Sequence, residues 1–78
     1  MSAKEMFEKL GYTFKNHCRY LKNYKNGKTI FITFDEKKKT IVKGKCGYAN
    51  EPININDYRI TMRELKAINK QCEEMGWK

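Results

Sequence analysis

The chain lacks the long apolar runs, the paired cysteines and the proline-rich stretches that mark several classes of protein. It has no apolar run of about 18 residues, the length that predicts a transmembrane helix. Its first residues form a charged helical pattern, which differs from the apolar segment of a signal peptide. One proline and 13% aromatic residues argue against a disordered chain. We therefore expect one cytoplasmic domain over residues 1–78, with no membrane contact.

The chain has few cysteines, and their number and spacing do not indicate disulfide pairs. Cys18, Cys46 and Cys72 are an odd set with no CxxC spacing, whereas a small secreted domain usually has an even set of disulfide-bonded cysteines. We predict three free thiols in a reducing compartment.

Residues typical of catalytic or metal sites are also scarce. His17 and Cys18 supply two candidate metal ligands, but structural zinc needs four at characteristic spacing. Adjacent residues of a strand point to opposite faces, which works against a Cys–His nucleophile pair. The sequence therefore predicts no metal, no cofactor and no enzymatic activity.

Positive charge is abundant and concentrated. The net charge is +8, and residues 13–50 contain ten basic residues against two acidic ones, which accounts for the whole excess. The flanking stretches are balanced. Any function that depends on this charge is expected to use the middle of the chain.

Two segments have the same pair of helix signals, a capping box before the helix and a glycine after its last turn. The boxes are Ser2–Glu5 and Thr61–Glu64, and the glycines are Gly11 and Gly76. These signals predict an N-terminal helix over about residues 3–10 and a C-terminal helix ending before Gly76.

The residues between the helices show a β pattern. Residues 19–24 and 29–34 are β-rich and flank Asn26-Gly27, a strong signal for a two-residue hairpin turn. A third strand is predicted over residues 40–43. A short edge strand from residues 53–55 or 58–60 is a further option. The predicted fold is α+β, an antiparallel sheet of three to four strands with both helices on one face (α-β-β-β-(β)-α).

A two-residue turn fixes the hairpin register, setting Tyr24 opposite Thr29 and Lys22 opposite Phe31. Side chains alternate between faces, so Leu21 is predicted on the core face. The other face then interleaves aromatic rings with lysines, as nucleic-acid-binding sheets do. The candidate binding surface consists of Arg19, Tyr20, Lys22, Tyr24, Lys28, Phe31 and Lys43. Further lysines are expected to surround it.

A structural explanation competes with this prediction. Tyrosine and phenylalanine are common in strands because they pack well on pleated surfaces, and lysines at sheet edges oppose aggregation. The chain has fourteen lysines against three arginines, which favours diffuse attraction over base readout.

Both ends of the chain resemble a group of small phage or prophage proteins from Gram-positive hosts. The resemblance rests on AKEMFEKLGY at residues 3–12 and on ITMRELKAINKQ at residues 60–71 followed by Gly76-Trp77. It covers the two terminal helices and implies a common fold and a mobile-element origin. No catalytic residues come with it, and residues 13–50 lie outside it.

The function expected from these observations is binding. The leading hypothesis is a non-enzymatic phage-type accessory protein whose basic sheet contacts nucleic acid or a nucleic-acid-handling partner in the host cytosol. One alternative is an inhibitor of a host or anti-phage defence protein, for example a CRISPR nuclease, through an acidic surface of that protein. Another is a self-associating structural protein that forms a homodimer.

Overall fold

The computed structural model describes residues 1–16, 18–25, 27–47 and 57–77. A short helix opens the chain, four strands follow, and a longer helix closes it. In chain order they are α1 (Ala3–Lys9), β1 (Thr13–Asn16), β2 (Arg19–Asn23), β3 (Thr29–Asp35), β4 (Thr40–Cys46) and α2 (Met62–Glu74). The α+β prediction is confirmed.

Both helices begin and end as the sequence predicts. Ser2 and Thr61 accept hydrogen bonds from the amides of Glu5 and Glu64, whose side chains return to the cap amides. Each helix ends in a Schellman motif, in which a glycine adopts positive φ and the aromatic residue after it donates back into the last turn. Local signals therefore determine all four helix ends.

The four strands form an antiparallel sheet in the order β1-β2-β3-β4. β1 was not predicted, because all four of its residues are exposed and show no burial alternation. β4 continues to Cys46, beyond the predicted third strand. Residues 58–60 form no strand, so that option was wrong, and residues 53–55 lie outside the described residues.

The β2–β3 hairpin differs from the prediction by one residue. Lys22 pairs with Ile30 and Leu21 pairs with Phe31. The Tyr24 amide donates to the Lys28 carbonyl at 2.8 Å, so Tyr24 faces Lys28 with three residues between them in the chain. Gly27 has φ +89°, as expected for the last residue of a three-residue hairpin connection. The two-residue turn was therefore wrong.

This shift exchanges the two faces of β2, because a slip of one residue turns every side chain over. The face covered by the helices, here called the helix face, carries Tyr20, Lys22, Ile30, Ile32, Phe34, Ile41, Lys43 and Lys45. The opposite face, here called the outer face, carries Arg19, Leu21, Asn23, Thr29, Phe31, Thr33, Asp35, Thr40, Val42, Gly44 and Cys46. The predicted grouping of aromatics and lysines on one open face was wrong.

The core lies between the helix face and the two helices. Its buried side chains are Phe7, Tyr12, Tyr20, Ile30, Ile32, Phe34, Ala67 and Ile68. The helices run antiparallel, since the Ala3 amide near the start of α1 donates to the Glu74 carboxylate at the end of α2 at 2.9 Å. Both helices therefore cover the same sheet face.

Candidate functional site

Tyr20 belongs to the core. It is 1% exposed, and its ring stacks on Phe7 with centroids 3.9 Å apart. Its hydroxyl donates to the Gln71 side chain at 2.5 Å. Burial, with Glu74 and Glu8 nearby, raises the pKa of Tyr20 to about 12. Tyr20 therefore cannot form part of a contact surface, which corrects its predicted role.

Lys43 lies inside a buried polar network at the start of α2. Its Nζ is 3.0 Å from Glu64 Oε1, and it also donates to the Arg59 carbonyl. Tyr12 donates its hydroxyl to Glu64 Oε2 at 2.6 Å. The Lys43 side chain is 7% exposed, so its ammonium group interacts inside the fold and is not available at the surface.

Glu64 has two structural roles, as capping residue of α2 and as acceptor for Tyr12 and Lys43. Burial alone would raise the pKa of its carboxyl. Hydrogen bonds from Tyr12, the Thr61 amide and Lys43 outweigh burial and hold that pKa below its ordinary value. Burial and the bond to Glu64 raise the pKa of Tyr12. The carboxylate is therefore ionised at neutral pH.

Asp57 pairs with two more lysines of the middle stretch. Its Oδ1 is 3.1 Å from Lys28 Nζ, and its Oδ2 is 3.6 Å from Lys45 Nζ. All three side chains are about nine-tenths buried. Lys28, a predicted surface residue, thus lies in an ion pair on the helix side.

Lys22 and Tyr24 lie beside this network. The Lys22 ammonium is 5.6 Å from the Tyr12 ring centroid and 5.8 Å from that of Tyr24. Lys28 Nζ lies 4.5 Å over the Tyr24 ring. These are cation–π distances. The exposed Tyr24 ring is therefore placed by lysines of its own chain.

Arg19 and Phe31 lie on the outer face, away from the other five predicted residues. Phe31 is half-buried and pairs with Gly44. A Cβ atom on Gly44 would lie 2.6 Å from Phe31 Cζ, so the tip of the ring occupies the space next to the glycine. The structure therefore divides the seven candidates among the core, the helix side and the outer face.

The turn between β3 and β4, residues 36–39, is here called the lysine turn. Asp35 Oδ1 accepts from the amides of Lys37 at 3.0 Å and Lys38 at 3.1 Å, an Asx turn that fixes the backbone. Lys39 has φ 53°. All three lysines are exposed, so the turn displays them on an ordered frame.

The turn between β1 and β2 lies next to the lysine turn, since the Cys18 thiol is 3.7 Å from Glu36 Oε1. Exposed Lys15 and Arg19 belong to the strands that enter and leave it. We call this part of the molecule the basic end; it consists of Lys15, Arg19, Lys37, Lys38 and Lys39. Asp35 and Glu36 are its acidic neighbours, so five cations against two carboxylates leave an excess of three.

Eight of the ten basic residues of the stretch 13–50 therefore fall into two groups. Lys28, Lys43 and Lys45 pair with Asp57 and Glu64, whereas the basic end presents its cations to solvent. A count along the chain could not separate these groups, because the two acids come from residues 57–77. The local signal for the basic end was present in the run Asp35-Glu36-Lys37-Lys38-Lys39.

Over the part of the chain that the structure describes, no group of three His, Cys, Asp or Glu side chains is arranged to hold a metal ion. Cys18, Cys46 and Cys72 are free thiols. None of the described helices is long and apolar enough to span a bilayer.

Comparison with protein-family models, curated proteins and solved structures finds no match to this chain.

Proposed function

We propose that this protein is a non-enzymatic, phage-type accessory protein that binds the phosphate backbone of nucleic acid through the basic end. The observation that carries the proposal is the display of five exposed cations, three on the lysine turn and two on the strands that flank the adjacent β1–β2 turn. Each lysine that contacts a phosphate releases condensed counterions, which drives binding without base contacts. The resemblance of the terminal helices to small phage proteins supports an accessory role.

The distribution of aromatic rings favours phosphate contacts over base stacking. Stacking needs exposed rings on an open surface, but Tyr20 is buried and Phe31 lies against Gly44. Tyr24 is exposed, but it follows β2 at the end opposite to Arg19 and the basic end. Four of the five cations at the basic end are lysines, which act as point charges. We therefore expect single strands and duplexes of any sequence to bind.

Replacement of the three lysines in the lysine turn tests the proposal. We expect the triple variant Lys37→Ser, Lys38→Ser, Lys39→Asn to bind duplex DNA more weakly. Log affinity falls with log salt, and the magnitude of this negative slope should decrease by about 2.7 for three lost phosphate contacts. Asparagine tolerates the positive φ of position 39. Fluorescence anisotropy from about 50 to about 300 mM salt measures the slope.

A matched control removes three cations from the exposed sides of the helices, as Lys9→Gln, Arg63→Gln and Lys66→Gln. Its net charge equals that of the lysine-turn variant, so diffuse attraction would weaken both equally. The proposal requires the control to keep a slope close to that of the unmodified protein. Equal losses, or no binding by the unmodified protein at the lowest salt, would refute it.

A further inference from the structure

β4 is a terminal strand whose first half is exposed. Its inner edge pairs with β3, and no strand in the described part of the chain pairs with its outer edge. Ile41 is 36% exposed and Val42 is 52% exposed. An exposed edge is a template for an added strand.

The sheet ladder shows which backbone groups face outward on β4. The bonds from Tyr24 N to Lys28 O and from Phe34 N to Cys18 O direct the even-numbered residues of β3 toward β2. Successive residues of a strand direct their backbone hydrogen bonds to opposite sides. The N–H and C=O of Thr33 therefore point toward β4, where Val42 is its partner. The N–H and C=O of Ile41 therefore point away from the sheet.

A groove of about 580 Å³ lies beside this edge, between β4 and the end of α2. Ile41, Cys72 and Trp77 provide its apolar lining, and Lys39, Asn69 and Glu73 provide polar groups. Trp77 is held by the hydrogen bond that its backbone amide donates to the Cys72 carbonyl at 2.8 Å. Its ring also makes an edge contact with the Phe34 ring, with centroids 6.2 Å apart. The groove is therefore preformed.

Charge along β4 selects the class of occupant. The lysine turn leads directly into the strand, and its Lys39 lines the groove together with Glu73. Lys43 and Lys45 do not add to the charge of the edge, because they are buried in ion pairs with Glu64 and Asp57. The three exposed lysines of the lysine turn outnumber the Glu73 carboxylate and favour an acidic strand.

We propose that the outer edge of β4 binds an extended acidic segment of a partner protein as an added strand. The segment hydrogen-bonds to the backbone of Ile41, places an apolar side chain beside Trp77 and sets carboxylates near the lysine turn. This site adjoins the lysine turn used by the phosphate contacts proposed above, and it differs from them because it also depends on the backbone of Ile41 and on the groove.

The test uses a short labelled peptide in which glutamate and valine alternate. We expect it to shift the Ile41 amide and Trp77 indole resonances of the isotope-labelled protein. A peptide with lysine in place of glutamate should bind at least about tenfold more weakly, the equivalent of ~1.4 kcal/mol. Absence of these shifts, or equal binding of both peptides, would overturn the proposal.

Ile41→Pro removes the outward N–H, and an edge strand accepts proline where that group faces solvent. We expect it to lower peptide affinity about tenfold while DNA binding stays unchanged, which separates this site from the basic end. If the proline variant unfolds, Ile41→Glu serves in its place through charge repulsion. Val42→Thr, on the outer face, is the control that should bind peptide normally.

Light scattering tests whether a second copy of the chain binds the β4 edge instead. We expect a monomer at high micromolar concentration. A dimer that Ile41→Pro disrupts would show that a second copy occupies the edge and would overturn the assignment to an acidic partner.

Discussion

Glu64 shows how one side chain joins separate parts of this fold. Its carboxylate caps α2 and accepts a hydrogen bond from the hydroxyl of Tyr12, which lies between α1 and β1. It also forms an ion pair with Lys43 of β4. A buried carboxylate with this many partners is well compensated. Removal of its charge would leave the Lys43 ammonium buried without a counterion.

We predict that Glu64→Gln lowers the free energy of unfolding by roughly 3 kcal/mol at neutral pH, as breaking a buried ion pair does. Because the folded-state pKa of Glu64 lies below 4.5, the carboxylate stabilises the fold above that pH. This contribution is lost as the pH falls through the folded pKa. The difference between variant and unmodified protein should therefore shrink in acid, as urea unfolding at several pH values would measure.

Glu73→Gln on the exposed side of α2 is the control. Its carboxylate is 74% exposed and lies 3.8 Å from Lys70, so we expect a change below about 0.5 kcal/mol. A Glu64 variant whose deficit is the same at every pH would contradict the assigned role of its charge.

Among the elements, β4 depends on a glycine at its centre. Gly44 lies next to the tip of the Phe31 ring of the adjacent strand, and the pair covers part of the outer face. Here glycine is required by close approach, since a methyl group would clash with the ring.

We predict that Gly44→Ala destabilises the fold by about 1–2 kcal/mol, the usual effect of overpacking. Combined with Phe31→Leu, which removes the clashing ring, the same substitution should have less than about half that effect. A double-mutant cycle from denaturant unfolding gives the coupling. Simple additivity of the two changes would show that the ring does not restrict position 44.

The elements also show which features could be predicted from sequence. Helix ends were predictable because capping boxes and Schellman glycines act within a few residues. The hairpin register was not, because Asn-Gly suits a two-residue turn whereas Gly27 is here the last of three residues between Tyr24 and Lys28. That single difference moved Tyr20 from the predicted surface to the core. The ion pairs of Asp57 and Glu64 were beyond local patterns, since they join distant segments.

At the scale of the whole molecule, whose net charge is +8, basic residues lie both in buried ion pairs and at the exposed surface. Salt screens exposed charges far more than buried ones. Repulsion among the exposed cations should therefore dominate the response of the fold to salt.

We predict that added salt stabilises the protein, raising the free energy of unfolding by about 0.5 kcal/mol, the scale of surface charge interactions. The lysine-turn variant should gain less than the helix control with the same net charge. Thermal melting at several salt concentrations measures both. Destabilisation by salt would mean that attractive exposed pairs prevail over repulsion.

The order of the strands affects how the chain assembles during synthesis. Each strand of the β1-β2-β3-β4 meander pairs with the strand made just before it, and such local contacts form quickly. Strand pairing can therefore begin before α2, the last of these elements, is made. Until Ala67, Ile68 and Gln71 arrive, much of the apolar helix face is open to other nascent chains, a setting in which aggregation begins. Release of the chain before α2 is made would leave this face without its cover.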